Sequence, residues 1–200
     1  HGTLASSDTW SLQYMRFESN SYCSKRLYSF DYNSLGGTNV ELSLDTFIDK
    51  VLKETGASKV ELVGHSQGGQ KGYSYCSDSL RAKKVAHYVH VASNGQAKPA
   101  GYYGDIPTLN LSSADDAVAG ITTITWATNV SLTGKDHYEV ATSVESFEAM
   151  YKFFNNDVAP KTIDITKESA PVISGRAVIM GDNTAVGAAT VKIFEVDKSS

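Results

Sequence analysis

The sequence predicts an α/β protein: an open, mostly parallel sheet flanked by helices. Three observations predict it. Short runs rich in β-branched residues alternate with stretches of helical periodicity through most of the chain. One junction between a predicted strand and a predicted helix reads Gly64-His65-Ser66-Gln67-Gly68, the Gly-x-Ser-x-Gly pattern of a nucleophile elbow. Ser66, Asp115 and His137 each follow the end of a predicted strand, the edge where functional groups gather in such sheets.

Bulk properties narrow the class. The 200 residues are enough for one domain with a proper core. Apolar content of 41% and charged content of 20% are those of a soluble globular protein. A net charge of −4, with no basic patch, argues against nucleic acid as a partner. No apolar run approaches the roughly 18 residues needed to span a membrane. Cys23 and Cys76 lack metal-binding spacing and are read as two separate thiols. No metal or cofactor is implied, and oligomeric state is not legible.

In order, residues 7–20 read as a helix capped by Ser7 or Asp8, with Trp10, Met15 and Phe17 on its apolar side. A short strand follows at 27–30. The clearest helix covers 39–55: Thr38 and Glu41 form a capping box, Leu44, Phe47, Ile48, Val51 and Leu52 line one face, and Gly56 ends it. Strand 60–63 delivers the elbow. The helix after Ser66 is predicted to run to about Lys84, burying Tyr73, Cys76 and Leu80. In the next strand, 85–91, His87 and His90 fall on opposite faces and make a poor metal pair. Residues 92–105 form a loop whose Tyr102 and Tyr103, together with Trp10, are candidates for lining a substrate groove. Strands at 106–111 and 124–132 complete the sheet, and a last helix starts at Thr142 with Glu145 in a second capping box.

From Ala159 the texture changes. Residues 173–179 and 189–194 read as two strands around Gly181-Asp182-Asn183, the start of a small β-sandwich. The expected division is therefore a catalytic domain over 1–160, and a linker with the first strands of a β domain over 161–200. His1-Gly2 opens without a preceding strand. The 200 residues are expected to be an excised piece, with a further strand ahead of His1 lying between 27–30 and 60–63, and with more chain beyond Ser200.

A serine hydroxyl is a weak nucleophile and needs a base within reach. His137 is the candidate base, and the carboxylate that orients it comes from Asp115, with Asp116 as its competitor. Asp136 adjoins His137 in sequence, so their side chains diverge. His65 is poorly placed to reach the hydroxyl of its own neighbour, and His1 is read as a scaffold. The backbone N–H groups of Thr3 and Gln67 are the candidate oxyanion donors.

Over residues 1 to about 160 the chain resembles a microbial lipase of the α/β-hydrolase superfamily. It is similar to small Bacillus-type secreted lipases in His1-Gly2 and Ser112-Ser113-Ala114-Asp115. It is more similar to an archaeal lipase type with a C-terminal β domain, in Lys84-Val85-Ala86-His87, Ala127-Thr128-Asn129-Val130, and Thr142-Ser143 followed by Glu145-Ser146-Phe147. Residues 171–196 resemble the opening of a carboxypeptidase-regulatory-like β-sandwich. The resemblance implies hydrolysis of carboxylic esters or acylglycerols by Ser66, Asp115 and His137, secretion, and transient contact with a lipid–water interface. The archaeal type places its acid after the strand corresponding to 85–91, where this chain has Ala92-Ser93-Asn94. That departure favours Asp115. The competing readings are a peptidase, amidase or thioesterase using the same three residues, and an inactive fragment that only binds.

Overall fold

The computed structural model describes residues 1–36, 39–170 and 172–194. A 3₁₀ turn at Ser7–Trp10 leads into α1 (Ser11–Ser19), which is followed, after a loop, by α2 (Val40–Thr55). Then come β1 (Val60–His65), α3 (Gln67–Cys76), α4 (Ser79–Ala82), β2 (Val85–Val91), β3 (Thr108–Ser113), β4 (Thr128–Leu132), α5 (Glu139–Thr142) and α6 (Val144–Phe154). The four strands pair in the order β1-β2-β3-β4, every pair parallel. Their carboxyl ends therefore share one edge of the sheet.

Alternation along β2 shows how the layers are built. Tyr88 points into a cluster with Leu44, Ile48, Tyr75 and Ile106 beneath α2 and α3. Val89 and Val91 point the other way, into a cluster with Phe17, Leu109, Leu111, Phe147 and Met150 beneath α1 and α6. A strand buried on both faces has to be apolar on both, which is why β2 reads as an almost continuous apolar run. His87 and His90 do fall on opposite faces: His87 pairs with Glu61 at 2.8 Å, and His90 is buried beside Tyr73.

The local rules hold for α2. Val40, Leu44, Ile48 and Val51 are its buried face, and Gly56, at φ 68°, donates its N–H to the Leu52 carbonyl at 3.0 Å. Its capping residue is Asn39, in a left-handed conformation. The capping box expected of Thr38 lies outside the described residues.

Four expectations need correction. Among the described residues the 27–30 segment pairs with no strand, and between it and β1 lies an apolar cavity of about 400 Å³ lined by Phe30, Leu44, Phe47, Val63 and Trp10, among others. The helix after Ser66 breaks at Ser77, because the Asp78 carboxylate accepts from the N–H groups of Leu80 and Arg81 and starts α4. Leu80 is consequently exposed. The strand expected from residue 124 begins at Thr128, because the Asn129 amide closes a turn over Ile124 and Ala127. The last helix, expected from Thr142, starts at Val144: Thr142 ends the separate α5, and Ser143 caps α6 by accepting from Ser146 N–H.

Beyond α6, the described residues form no sandwich. The turn at Gly181-Asp182-Asn183 is present, but its flanks are 177–179 and 184–186, joined by one antiparallel bridge between Val178 and Ala185. Residues 189–194 are not part of it. Cys23 is exposed and Cys76 buried, both free, and burial pushes the Cys76 thiol up to about 12.

Two buried histidines make the fold acid-sensitive. Burial lowers His65 and His90 to about 4 each, against the upward pull of hydrogen bonds to the carbonyls of His137 and Asn94 respectively. In the unfolded chain both titrate near 6.5. Below that pH the unfolded state binds protons that the folded state refuses, so stability is complete above about 6.5 and is lost as pH falls toward 4. At pH 5 the loss is about 2 kcal/mol per histidine. Thermal unfolding should therefore shift downward between pH 6.5 and 5, where most carboxylates remain ionised, and the shift should shrink in His90→Asn. A midpoint constant across that window would show that the histidines are not held neutral.

Candidate active site

The elbow is built by backbone contact. Ser66 sits at φ 54°, ψ −122°, a region that costs a non-glycine residue roughly 1–3 kcal/mol. The strain is held from three sides. Ser66 N–H donates to the Val91 carbonyl at 2.9 Å, its carbonyl accepts from Gly69 N–H at 2.9 Å, and Ser93 Oγ donates to the same carbonyl at 2.7 Å. Ser93, in the segment just after β2, thus serves the elbow.

Glycines make the close packing possible. A β-carbon at Gly64 would lie 2.4 Å from the Gly68 carbonyl oxygen, and one at Gly68 would lie 2.3 Å from that of His1. At Gly2 it would meet the Ser66 β-carbon at 2.9 Å. The His1–Gly2 backbone is therefore packed directly against the serine and the first turn of α3.

Thr3 follows on the exposed side of that loop. Among the described residues, neither its N–H nor that of Gln67 donates to a protein acceptor. The Gln67 N–H is also a first-turn donor of α3, where the helix dipole favours negative charge. His1 is buried, with its ring stacked on Tyr32 at 4.3 Å. Its Nδ1–H donates to the Gly2 carbonyl at 2.9 Å, while Nε2 accepts from Tyr32 N–H at 3.3 Å.

The carboxylate on the His137 ring is that of Asp116, not Asp115. Both Asp116 carboxylate oxygens face His137 Nδ1, at 3.0 and 2.9 Å. Its Oδ1 also accepts from the N–H groups of Val118 and Ala119, at 2.8 and 3.0 Å. Burial pushes this carboxyl up, but the His137 hydrogen bond and the two N–H donors outweigh it, and the net shift is downward. The carboxylate therefore stays ionised although its side chain is fully buried. Asp115 is exposed, and its carboxylate accepts from Gly134 N–H at 2.8 Å. The reason is a turn. β3 ends at Ser113, and the chain then coils through Asp116 to Gly120, whose N–H returns to the Asp116 carbonyl at 2.9 Å. Asp115 is left outside the coil and Asp116 inside it. An Asp followed by two small or apolar residues and a Gly four positions on was the signal in the sequence.

His137 is half-buried beside the elbow. His65, the residue before Ser66, donates from Nε2 to the His137 carbonyl at 2.9 Å, and the two rings lie 4.8 Å apart. With Nδ1–H committed to Asp116, His137 Nε2 carries the ring's lone pair and has no hydrogen-bond partner among the described residues. The Ser66 hydroxyl makes no hydrogen bond to the ring in this structure, and such contacts commonly tighten only when substrate binds. Asp136 caps α5 through the N–H groups of Tyr138 and Glu139.

The three candidate groove residues lie elsewhere. Tyr102 and Tyr103 pack edge-on against each other on the stretch that leads into the start of β3, the sheet edge opposite Ser66. Trp10 lines the cavity along β1, whose lining includes His1, Gly64 and Gly68 but not Ser66. The residues missed by sequence reasoning are His65, Ser93 and Tyr32, each acting through backbone contacts that no spacing reveals.

No family model matches the chain. Among solved structures it is similar to a meta-cleavage product hydrolase from Pseudomonas fluorescens IP01 (11% identity, TM-score 0.56, 78% of this chain and 88% of that one). It is similar to a predicted CIB-like hydrolase from Thermoplasma acidophilum (19% identity, TM-score 0.53, 78% and 84%). It is also similar to naproxen esterase from Bacillus subtilis (12% identity, TM-score 0.52, 78% and 81%). At these identities the likeness concerns the fold, which is that of the α/β-hydrolases.

The Asp116–His137 contact has a spectroscopic consequence. A downfield imidazole N–H proton in slow exchange with water should be seen by NMR, lost in Asp116→Ala and kept in Asp115→Ala. Its survival in Asp116→Ala would return the assignment to Asp115.

Proposed function

We propose that the protein is a serine hydrolase of carboxylic esters, working through an acyl-enzyme on Ser66. The observation that carries this reading is the ionised, buried Asp116 on His137 Nδ1, with the His137 backbone tied by His65 to the residue preceding the elbow serine. In the proposed reaction His137 Nε2 takes the Ser66 proton as Oγ bonds to the ester carbonyl carbon. The carbonyl electrons move onto oxygen, and the Thr3 and Gln67 N–H groups stabilise that charge. The intermediate collapses, the C–O bond to the alcohol breaks, and the departing alcohol takes the proton from His137. Water, deprotonated by the same nitrogen, then attacks the acyl carbon, the C–Oγ bond breaks, and His137 returns the proton to Ser66 Oγ as the acid leaves.

The substrate class we favour has an apolar acyl chain, as in acylglycerols. Four exposed apolar side chains support this. Val118 and Ile121 stand on the loop that carries Asp116, Tyr138 adjoins His137, and Leu4 adjoins Thr3. Such exposure on the loops bearing the site residues suits an apolar substrate or a transient contact with a lipid surface. It replaces the role first given to Tyr102, Tyr103 and Trp10. Naproxen esterase and a membrane phospholipase A share the fold, which accommodates these chemistries without deciding between them.

A fluorophosphonate should label Ser66, and Ser66→Ala should abolish both labelling and p-nitrophenyl butyrate hydrolysis. Labelling that persists in Ser66→Ala would rule out the assignment. Asp116→Asn should lower kcat by roughly 10³–10⁴-fold, whereas Asp115→Asn should stay within about tenfold of the parent. On matched butyryl substrates, turnover of the anilide within about tenfold of the ester would favour the amidase or peptidase reading instead.

A further inference from the structure

The tail beyond α6 touches the site loop at one place. Asn183 is buried, although it belongs to a turn far along the chain whose next residues, from Thr184 on, are exposed. Its Nδ2 donates to two backbone carbonyls, those of Ala5 and Tyr32, each at 2.9 Å, and lies 3.4 Å from His1 Nε2. Its Oδ1 is buried without a partner. Two residues earlier, the Gly181 carbonyl accepts from Ser34 N–H at 2.7 Å and from Ser34 Oγ at 3.0 Å. That same Ser34 Oγ accepts from Leu4 N–H at 2.9 Å, and the Ser34 carbonyl accepts from Gln67 Nε2 at 3.2 Å. Contact is close enough that a β-carbon at Gly181, itself at φ 79°, would lie 2.9 Å from Leu35 and 3.0 Å from Leu4 side-chain carbons.

The loop over residues 2–5 contains no helix or strand, and Leu4 holds a left-handed φ of 63°. On the amino side of Thr3, the loop is fixed by the packing of His1 and Gly2 against the elbow. On the carboxyl side, the hydrogen bonds that lead from Leu4 and Ala5 out of the loop end on Ser34 and Asn183. We infer that the Gly181–Asn183 turn clamps the oxyanion loop, with Asn183 as a positioning residue that fixes the Thr3 N–H through Ala5 while Ser34 joins the turn to Leu4 and Gln67. The inference rests on the hydrolase reading for its catalytic consequence, and on geometry alone for the clamp. Oxyanion donors act only when held within a few tenths of an ångström of their place, so a tether two residues from the donor affects the rate without touching substrate.

The test uses the whole chain, with parent, Ser66→Ala, Asn183→Ala, Ser34→Ala and the double variant compared on p-nitrophenyl butyrate. Asn183→Ala should lower kcat about tenfold with KM changed less than about twofold, and should weaken a boronic acid that mimics the oxyanion by a similar factor. The double variant should lose less than the product of the single losses, because both act on one loop. Hydrogen exchange at residues 3–5 should quicken in Asn183→Ala while β2 stays protected. A folded Asn183→Ala with parental kcat and unchanged exchange at 3–5 overturns the clamp. If Asn183→Ala does not fold, Ser34→Ala, which removes one hydroxyl, decides by the same two readouts. A parent without ester hydrolysis, or a Ser66→Ala variant as active as the parent, overturns the hydrolase reading, and the exchange data then judge the clamp independently.

Discussion

The constraint on which the rest depends is the space between the His1–Gly2 backbone, the strained Ser66 and the first turn of α3. No side chain fits at 2, 64 or 68, since each would meet an atom at 2.3–2.9 Å. What this absence allows is backbone-to-backbone contact between the His1–Gly2 segment, the serine and the first turn of α3. Such packing tolerates little error, so it has to be braced. Val91, Ser93 and Gly69 brace the serine, and Tyr32 braces the loop through hydrogen bonds that its hydroxyl shares between the His1 carbonyl and the Gln67 side chain.

Charge is handled by burial with full partnership. A lone carboxylate inside the protein would take up a proton to escape desolvation. Asp116 avoids this with two backbone donors and the His137 ring, and in the proposed reaction its charge would stabilise the imidazolium. His65 is handled the opposite way. It is kept neutral, which leaves its Nε2 proton to hold the His137 carbonyl without placing a second positive charge 4.8 Å from the base.

Much of this was legible in the chain, for identifiable reasons. The strand-to-helix junction at Ser66, the buried face of α2 and the Gly56 cap follow from periodicity and local backbone preference, and both are written in consecutive residues. The choice between Asp115 and Asp116 was not, because adjacent residues in a turn differ in direction by the coil of that turn. Beyond the Gly120 that follows Asp116 by four positions, it takes the N–H donors at Val118 and Ala119 to show which one faces inward. The breaks at Asp78 and Ser143 are single side-chain hydrogen bonds that override helical periodicity. Tyr102 and Tyr103 were misplaced because a loop that crosses from one end of a parallel sheet to the other has residues at both ends. The docking of Asn183 on Ala5 and Tyr32 spans more than 150 positions and leaves no pattern at all.

The proposal at the centre is that Ser66 attacks an ester carbonyl carbon with His137 as base while the Thr3 and Gln67 N–H groups hold the carbonyl oxygen. A crystal structure of the chain inactivated by an alkyl phosphonate tests it most directly. The account predicts a covalent bond from Ser66 Oγ to phosphorus, the phosphoryl oxygen within about 3 Å of both N–H groups, and His137 Nε2 turned toward the ester oxygens. An adduct on another residue, or a phosphoryl oxygen facing solvent with both N–H groups still unpaired, would contradict it.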